Sequence, residues 1–332
     1  MLALVTGGTG FIGSHLVDEL LDHGYDVRVL RRTTSNTLFL EGEPVSFAVG
    51  DLTDQESLMR ACQQVDVVFH VAALPRDWGP RKTFFEVNVD GTRNLLEACV
   101  TNKVPRFVFM SSAAVYGFPK TSQPIGENFP KHPTLKYGES KLAAEEMLWG
   151  YGMNHDIVVS AVRSPVVLGP RDHLISLFII HALQQKRLFY IGDGNQLISL
   201  SDGRDVARCL LLAGESNTSD NQAYNVKSFD STPRQLMESF AERLSLSVPE
   251  THRSYLGAYV LASLVEGFWM LRGKENPPFT RHKVRVIGTS RRIDITKATE
   301  ELTFVPHYTS SATIADTISW YRTLMGPSSF TR

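Results

Sequence analysis

The feature that most constrains the fold is a glycine-rich turn close to the amino terminus. The apolar run LALVT leads directly into TGGTGFIG, in which Gly7, Gly10 and Gly13 are spaced three residues apart, and a segment with helical spacing follows. Glycine permits a sharp turn and a close approach to a pyrophosphate, while the first turn of a helix offers N–H groups to the anion. In this strand–turn–helix context the spacing favours dinucleotide binding over a merely tight turn. We therefore expect Gly7, Gly10, Phe11, Ile12 and Gly13 to contact a cofactor.

The first half of the chain alternates short apolar runs with longer helical segments. DVRVL, VSFAVG, VDVVFH, RFVFMSS and IVVSAVR are rich in Val, Ile and Phe, as is typical of buried parallel strands. This pattern predicts an α/β fold with a doubly wound parallel sheet, whose ligand lies beyond the carboxyl ends of the strands. We expect a dinucleotide-binding domain over residues 1–164, to which 200–226 return. A smaller, mostly helical substrate-binding region is expected over 165–199 and 227–332.

Composition limits the classes of partner. The 332 residues include 34 basic and 35 acidic side chains, so the net charge of −1 gives no overall attraction for nucleic acid. Cys62, Cys99 and Cys209 are odd in number and lack metal-ligand spacing, which favours a reducing compartment and no metal site. The amino terminus shows no basic segment or cleavage site before its first strand. These features predict a cytoplasmic protein.

One apolar stretch leaves two interpretations open. Residues 255–271, YLGAYVLASLVEGFWML, contain a single charge, Glu266, and are at the short limit for a membrane span. The stretch is compatible with a helix that caps a substrate cavity. It is also compatible with a helix that lies on a membrane surface and collects a lipophilic substrate. Peripheral membrane contact is therefore one of the two expectations.

Two arginines at the end of the second apolar run bear on cofactor choice. NAD-binding proteins of this kind usually place an Asp or Glu there to accept from the adenosine ribose, whereas this chain has Arg31 and Arg32, followed by TTSN. A guanidinium suits the 2′-phosphate of NADP(H). If both arginines point to water, NAD(H) is used as well. Asp51 and Leu52, after the third run, are expected to hold the adenine.

A second group of residues has the chemistry of proton transfer. In YGESK, Tyr137 and Lys141 lie four residues apart within a helical segment, so they share one face. A nearby cation lowers the pKa of a tyrosine, which is otherwise near 10. The run RFVFMSS ends at Ser111 and Ser112, where a hydroxyl can orient a substrate oxygen. The Tyr/Lys spacing by itself is equally compatible with an ordinary surface helix.

Taken in order, TGGTGFIG, DL, HVAA, NVDGTRNLLEA, SSAAVYG, YGESK and VRSPVVLGP resemble the extended short-chain dehydrogenases/reductases over residues 1 to about 212. The resemblance implies an NAD(P)-binding Rossmann fold, and a homodimer formed through the helices FFEVNVDGTRNLLEACV and YGESKLAAEEMLW. It also implies roles for individual residues. These are Ser112, Tyr137 and Lys141 as the catalytic triad, Ala72 and Ala73 lining the cofactor, Pro165 and Val166 at the nicotinamide end, and Asn88 in helix packing and the proton-relay region.

Three further segments resemble the 3β-hydroxysteroid and sterol 4-carboxylate dehydrogenase branch: ALPRDWGPRKTFFEVNVDGT, RSPVVLGPRD and NPPFTRHKVRVIGTSRRIDITKATEELTFVPH. Sugar-nucleotide enzymes usually carry an asparagine where this chain has Val166. The branch implies an NAD(P)-dependent oxidoreductase that moves a hydride between nicotinamide and a secondary alcohol or ketone of a lipophilic substrate. A nucleotide-sugar epimerase or dehydratase is the alternative, and a non-catalytic NADP(H)-sensing protein is a third interpretation.

Three other polar residues are expected to have structural roles. His70 ends the fourth apolar run, VDVVFH, and is expected to be a packed or backbone-bonded histidine near the cofactor. Arg204 and Asp205 open the helical segment GRDVARCLLLAGE, and the simplest expectation is that they cap this helix.

Overall fold

A computed structural model describes residues 1–273 and 277–325 of the chain. Within these segments the strands are β1 (Leu2–Thr6), β2 (Asp26–Arg31), β3 (Val45–Val49), β4 (Val67–His70), β5 (Arg106–Ser112), β6 (Val158–Ser164), β7 (Val166–Leu168), β8 (Tyr190–Ile191), β9 (Ile198–Asp202), β10 (Gln222–Asn225), β11 (Phe229–Ser231) and β12 (His252–Arg253).

The helices of the same segments are α1 (Phe11–Asp22), α2 (Gln55–Ala61), α3 (Arg81–Phe85), α4 (Gly91–Thr101), α5 (Lys136–Asn154), α6 (Ile175–Gln184), α7 (Gly203–Glu215), α8 (Pro233–Leu244), α9 (Tyr255–Leu271), α10 (Arg281–Gly288), α11 (Thr296–Leu302) and α12 (Ser310–Met325). Short 3₁₀ turns cover Leu38–Leu40 and Ala113–Tyr116, and a π-helical turn joins α3 to α4 over Glu86–Asp90.

The main sheet has seven strands in the order β10-β6-β5-β4-β1-β2-β3. All neighbouring strands in it are parallel. The chain order reverses at β1, where Thr6 pairs with Leu30 of β2 on one side and with His70 of β4 on the other. Ligands of doubly wound sheets bind at this kind of switch point, beyond the carboxyl ends of the strands. The predicted Rossmann-type α/β fold is confirmed.

Both faces of the sheet are buried along its central strands, which explains their continuous apolar runs. The edge strand β3 is largely exposed, so the prediction of a buried strand for VSFAVG is wrong. Along β1, Ala3 and Val5 point into one core layer and Leu4 into the other, as expected from the two-residue period of a strand. The first layer is closed by α1 and α7, and the second by α2, α4 and α5. The carboxyl edge of β1 is thereby held rigidly between two packed layers.

The chain beyond β6 contributes both to the main sheet and to a second, smaller unit. Helix α7 packs against α1 and β10 joins β6, whereas β7, β9 and β11 form a separate small sheet and β8 pairs with β12. Helices α6, α8 and α12 share an apolar cluster with the small sheet. These small sheets were not predicted for the mostly helical region, because strands of two or three residues are too short to show a two-residue period. Residues 274–276 and 326–332 of the predicted substrate region lie outside the described residues.

The start of α7 corrects one expectation. Asp202, not Arg204 or Asp205, is the cap, and its side chain accepts from the Arg204 N–H at 2.9 Å. The helix begins at Gly203, the first residue of the segment GRDVARCLLLAGE, and the capping position is the residue before it, Asp202. Asp205 instead lies inside the first turn, where it accepts from the His307 N–H at 2.9 Å and from the Ser228 hydroxyl at 2.6 Å.

Helix α9 is the apolar stretch noted in the sequence. One side packs on the small unit through Ala258 and Ala262. Its single acid, Glu266, is buried and accepts from the Arg281 backbone N–H and guanidinium. No helix in the described part of the chain combines the length and apolar character that crossing a membrane requires.

Candidate active site

A single cavity of about 1490 Å³ extends from the switch point of the main sheet to α9 and α10. It collects side chains and turns that are far apart in the sequence. All the residues predicted for catalysis and cofactor binding line it: Gly7, Gly10, Phe11, Ile12, Gly13, Arg31, Arg32, Asp51, Leu52, Ala72, Ala73, Ser112, Tyr137, Lys141, Pro165 and Val166.

The glycine turn has room for backbone but not for side chains. Gly7 has a φ of +72°, and a Cβ there would lie 2.7 Å from the Ala72 nitrogen. A Cβ on Gly13 would overlap the carbonyl oxygen of Gly7. Gly10 precedes α1 and no side chain caps that helix, so the N–H groups of its first turn remain available to an anion. The turn is therefore suited to hold a phosphate group close to the backbone.

Arg31 and Arg32 differ in their surroundings. The guanidinium carbon of Arg31 lies 4.9 Å from the centroid of the Phe47 ring. Its Nε is buried and has no hydrogen-bond partner among the described residues. Arg32 is exposed, and its backbone N–H donates to the Ser35 hydroxyl at 3.1 Å. Both side chains line the cavity, and Arg31 carries an unsatisfied donor there.

Asp51 lines the cavity within reach of the charge of Arg32. Its Oδ1 accepts from the Thr53 backbone N–H at 2.9 Å and from the Thr53 hydroxyl at 2.7 Å. Burial raises the pKa of Asp51, but these bonds and the charge of Arg32 outweigh burial and leave the pKa below its usual value. The carboxylate is therefore ionised at neutral pH, as an acceptor at this position must be.

Ser112, Tyr137 and Lys141 come from two neighbouring elements. Ser112 is the last residue of β5, and its hydroxyl accepts from the Ala114 N–H at 3.1 Å. Tyr137 is the second residue of α5, and Lys141 follows one turn later. The preceding serine, Ser111, instead points to a buried carboxylate. The geometry thus distinguishes the two serines as the sequence motif does.

The ionisation of this group differs in one respect from the expectation. Burial raises the pKa of Tyr137 to about 12, and an interaction with the Ser112 hydroxyl acts in the opposite direction. Burial lowers the pKa of Lys141 to about 7. The Lys141 ammonium donates to the Met110 carbonyl at 2.6 Å and lies 4.4 Å from the Phe109 ring centroid, which leaves two of its N–H groups for other partners. Burial therefore favours the uncharged form of both Tyr137 and Lys141.

Two residues behind Lys141 were missed in the sequence. Glu145, on the next turn of α5, is buried and pairs with Arg163 of β6 through both guanidinium Nε and Nη2. It also accepts from the Ser111 hydroxyl at 2.7 Å. Its charge raises the pKa of Lys141 against the effect of burial. The available signal was the four-residue spacing from Lys141, which places Glu145 on the same helix face.

Asn88 lies in the π-helical turn and connects three parts of the site. Its Oδ1 accepts from the Leu74 N–H at 2.7 Å, and its Nδ2 donates to the Ser140 hydroxyl at 2.9 Å. His70 is buried next to it, bonded to the Thr6 and Thr92 hydroxyls. These contacts fix the loop after β4 against α5.

The cysteines take no part in the site. Cys62, Cys99 and Cys209 are buried and free, and the Cys62 and Cys99 sulfur atoms are 3.9 Å apart without a disulfide bond. Over residues 1–273 and 277–325, no three His, Cys, Asp or Glu side chains are grouped in a way that could hold a metal ion.

The far end of the cavity is contributed by the second unit. Its wall is mainly apolar and includes Phe178, Leu188, Phe189, Leu261, Val265 and Phe279. Two polar residues that the sequence did not single out, His282 and Arg291, line the same end. The cavity therefore offers space for a largely apolar molecule beside Tyr137.

Comparisons with known proteins agree with this arrangement. The sequence profile of the NAD dependent epimerase/dehydratase family matches residues 3–226, more than half of the chain. The sterol-4-alpha-carboxylate 3-dehydrogenase, decarboxylating, of Mus musculus is 28% identical, over 96% of this chain and 91% of its own length.

Two further proteins are similar over nearly the whole length. The 2-alkyl-3-oxoalkanoate reductase of Stenotrophomonas maltophilia is 27% identical, over 92% of this chain and 95% of its own. The structure of MoeE5 in complex with UDP-glucose and NAD is 26% identical, with a TM-score of 0.78, and covers 98% of this chain and 100% of that one.

Proposed function

The chain belongs to the NAD dependent epimerase/dehydratase family and is an NAD(P)-dependent enzyme of the extended short-chain dehydrogenase/reductase type, and from this membership we propose its reaction. The reaction is hydride transfer between nicotinamide and a secondary alcohol or ketone of a lipophilic substrate. The observation that carries the proposal is the single cavity, which joins Ser112, Tyr137 and Lys141 to a largely apolar far end.

The residues present fit a dinucleotide cofactor. The glycine turn and uncapped α1 suit the pyrophosphate, Asp51 and Leu52 the adenine, and Ala72 and Ala73 the middle of the molecule. Pro165 and Val166 lie at the nicotinamide end. When bound, the cofactor supplies or accepts the hydride.

In the proposed mechanism Tyr137 gives a proton to the substrate oxygen during reduction and takes it back during oxidation. Ser112 donates a hydrogen bond to the same oxygen and orients it. Lys141 carries a pKa near neutrality, so it can return a proton to Tyr137 or hold the phenolate by its charge. The charge of Glu145 favours the protonated form of Lys141 against the effect of burial.

We propose NADP(H) as the preferred cofactor, with NAD(H) also accepted. The supporting observation is the buried, unpartnered Nε of Arg31 at the end of β2, which a 2′-phosphate would satisfy. Arg31→Asp should lower the ratio of kcat/KM for NADP(H) over NAD(H) by roughly 10- to 100-fold, since hydrogen bonds to charged groups have this strength. Arg60→Asp, on the exposed face of α2, is the control. An unchanged ratio in Arg31→Asp would remove the argument.

The names of two relatives narrow the substrate class. Sterol-4-alpha-carboxylate 3-dehydrogenase and 2-alkyl-3-oxoalkanoate reductase both name a reacting carbon adjacent to the carbon that bears a carboxylate. We propose a lipophilic acid of this kind, oxidised or reduced at the position β to its carboxylate carbon. The apolar wall around Phe178 and Leu261 supports a hydrophobic body.

The alternative is a nucleotide-sugar epimerase or dehydratase, favoured by the similarity to MoeE5 with UDP-glucose and NAD. In that reaction the hydride is returned and the cofactor shows no net change. A cofactor-sensing role without catalysis is disfavoured because Tyr137 and Lys141 are both retained.

The decisive assay follows cofactor absorbance at 340 nm. The protein is incubated with NADPH and freshly prepared long-chain 2-alkyl-3-oxo acids, with NADP⁺ and 3β-hydroxysteroids, and with UDP-glucose. We expect net oxidation or reduction with the apolar substrates. Conversion of UDP-glucose without net cofactor change, together with no activity on the apolar panel, would overturn the proposal.

We also propose peripheral membrane contact through α9. The helix exposes an apolar stripe with four-residue spacing next to Arg272. Leu264→Ser should weaken cosedimentation with phosphatidylglycerol vesicles, whereas Val305→Ser, an exposed apolar site elsewhere, should not. Equal binding by both variants would count against the contact. The stripe consists of Leu256, Val260, Leu264 and Phe268.

A cytoplasmic homodimer remains our proposal for assembly and location. The family resemblance supports α4 and α5 as the dimer helices, and Met153 near the end of α5 is 73% exposed. Light scattering on the purified protein and fractionation of cells test these two points, and a monomer or a secreted protein would contradict them.

A further inference from the structure

Two adjacent arginines beside β9 point in opposite directions. Arg291 is held as an extended residue: its N–H donates to the Leu197 carbonyl at 2.9 Å, and its carbonyl accepts from the Ser199 N–H at 3.0 Å. Successive side chains of an extended segment alternate in direction. Arg291 accordingly enters the cavity, whereas Arg292 donates to the Ser122 carbonyl at 2.6 Å away from it.

The guanidinium of Arg291 lacks an acidic partner in the described part of the chain. Its Nη1 donates to the Gly117 carbonyl at 3.1 Å, and its central carbon lies 5.1 Å from the Phe118 ring centroid. Burial lowers the pKa of Arg291 to about 10, with no carboxylate acting in the other direction, and the group is still charged at pH 7. Buried charges in proteins are normally paired, so this one has capacity for an anion.

His282 lies on the same wall and also has a polar atom without a partner among the described residues. Its ring meets Phe118 edge to face, with centroids 5.9 Å apart, and its Nδ1 is buried without a hydrogen-bond partner. Burial lowers the pKa of His282 to about 4, so the imidazole is neutral at pH 7 and can donate one N–H. Phe118 thus contacts both a charged donor and a neutral donor that border the cavity.

The position of Arg291 connects it to the proposed chemistry. Gly117, which accepts from Arg291, ends the short turn that begins at Ser112: Ala114 donates to the Ser112 hydroxyl, and Gly117 donates to the Ala114 carbonyl. A group held by Arg291 is therefore tied to the loop that positions the substrate oxygen.

The contacts of two other cations on the wall are more exposed to solvent than those of Arg291. The Lys283 ammonium donates to the Pro278 carbonyl at 3.1 Å and lies 5.1 Å from the Phe178 ring centroid. Arg187 is exposed to solvent. Arg291 is therefore the cavity cation with the strongest unmet demand for an anion among these three.

We propose that Arg291, assisted by His282, binds the carboxylate of an amphiphilic substrate and so determines specificity for acids over neutral ketones. The identity of the reacting molecule rests on the proposed function, whereas carboxylate binding does not. The apolar wall would take the hydrophobic body of the molecule, and the planar guanidinium the carboxylate, through two parallel hydrogen bonds.

The first experiment compares a 2-alkyl-3-oxo acid with its methyl ester, using NADPH and the purified protein. We expect Arg291→Met to lower kcat/KM for the acid by roughly 30-fold or more, as for the loss of a buried charge-pair partner, and to change the ester little. Arg292→Met, its outward-facing neighbour, should leave both values unchanged. If Arg291→Met keeps the wild-type preference for the acid, the assignment is wrong.

A second experiment separates this inference from the proposed reaction. Calorimetry on the NADP⁺-loaded protein measures the affinity for laurate, for dodecanol and for UDP. We expect Arg291→Met to weaken laurate binding roughly 30-fold and to leave dodecanol binding unchanged. If wild-type protein reduces no ketone but shows this dependence, the carboxylate site stands and the proposed reaction fails. If laurate binding is independent of Arg291, or only UDP binding depends on it, the carboxylate site is refuted.

A second variant tests the site if Arg291→Met does not fold stably. Arg291→Gln keeps a donor for the Gly117 carbonyl but carries no charge, and it replaces Arg291→Met if that variant is unstable. Its NADP⁺ affinity should equal that of the wild type, which shows that the cofactor end is intact. Loss of laurate binding with normal NADP⁺ binding supports the site, and normal binding of both contradicts it.

Discussion

Two histidines, the buried His70 and the half-buried His282, show a difference between the cofactor half of the molecule, the main sheet with its helices, and the substrate half, the small sheets with α6, α8, α9, α10 and α12. In the cofactor half, burial lowers the pKa of His70 to about 3, and both ring nitrogens are bonded, to Thr6 and Thr92. In the substrate half, burial lowers the pKa of His282 to about 4, yet its Nδ1 has no partner. In this pair, the cofactor half satisfies both ring nitrogens internally, whereas the substrate half leaves one ring nitrogen unpartnered, among the described residues, in a side chain that lines the cavity.

A side chain whose polar atoms are all bonded within the protein supports the fold, whereas one with an unpartnered atom at the cavity is available to bind a ligand. An unsatisfied buried polar group is costly, and at a cavity a bound molecule can satisfy it. Among the described residues, the unpartnered side chains that line the cavity are Arg31 in the cofactor half and Tyr190 and His282 in the substrate half, whereas Ser160, Ser176, Gln196 and Arg243 carry unpartnered atoms away from it. Substitutions in matched pairs, one from each half, therefore test the comparison directly.

The largest difference should come from two tyrosines that line the same cavity. We expect Tyr137→Phe to lower kcat roughly 10³- to 10⁴-fold, because the phenol is the proposed proton donor. Tyr190→Phe, in the substrate half, removes a buried hydroxyl that has no hydrogen-bond partner, so kcat should change less than about 10-fold. Steady-state kinetics with NADPH and the preferred ketone measure both.

The control for this pair is cofactor binding. Neither variant should change NADPH affinity by more than a few-fold, and Tyr151→Phe, on the outer part of α5, should behave as wild type. Retained activity in Tyr137→Phe would refute its catalytic role. A loss in Tyr190→Phe as large as in Tyr137→Phe would show that the substrate half takes part in the chemistry.

The same division explains how much the sequence could predict. The glycine turn and the Tyr137/Lys141 pair are local patterns with fixed spacing, and the elements around them follow the two-residue and 3.6-residue periods of buried strands and helices. All the predicted cofactor and catalytic residues line one cavity for this reason. Their chemical roles remain predictions.

Contacts between distant segments could not be predicted from local spacing patterns. The pairing of Arg163 with Glu145 depends on β6 lying beside β5, and the inward position of Arg291 depends on a single bridge to β9. The strands of the substrate half, β8 and β12 among them, are also too short to show a period. The proposed determinant of substrate choice was therefore the part least visible in the sequence.

A smaller effect is expected from the two buried glutamates that pair with arginines. Glu145→Gln leaves Arg163, which is 2% exposed, without its partner charge, and should lower the free energy of unfolding by about 3 kcal/mol or more. In the substrate half, Glu266 pairs with Arg281, whose side chain is 49% exposed and can be hydrated. Glu266→Gln should therefore lower it by only about 1 kcal/mol.

Urea unfolding monitored by circular dichroism measures both glutamate variants. Glu139→Gln, which breaks an exposed pair with Arg81, is the control and should change the free energy of unfolding by less than about 1 kcal/mol. If Glu266→Gln is as destabilising as Glu145→Gln, the substrate half is as dependent on internal pairing as the cofactor half, and the comparison does not hold.

The last comparison concerns pH and the two histidines themselves. Both have a pKa below the usual 6.5 in the folded protein, so the unfolded chain binds more protons in acid and stability is lost as the pH falls below 6.5. Each histidine should contribute about 1.4 kcal/mol per pH unit at most, down to its folded pKa. The charge of Lys141 adds to the effect of burial on His70.

His282 should respond to ligand and His70 should not. Around His282, Asp77 raises the pKa, whereas Arg291, Lys283 and Arg285 lower it. A carboxylate bound beside Arg291 would raise the pKa of His282, so protonation of His282 would cost less stability in acid. With laurate bound, His282→Gln should therefore recover a smaller part of the unfolding free energy that is lost between pH 7 and pH 5. The part that His70→Gln recovers should be the same with and without laurate. Urea unfolding at pH 7 and pH 5 measures these parts, and a laurate effect of equal size on both histidines would contradict the division between the two halves.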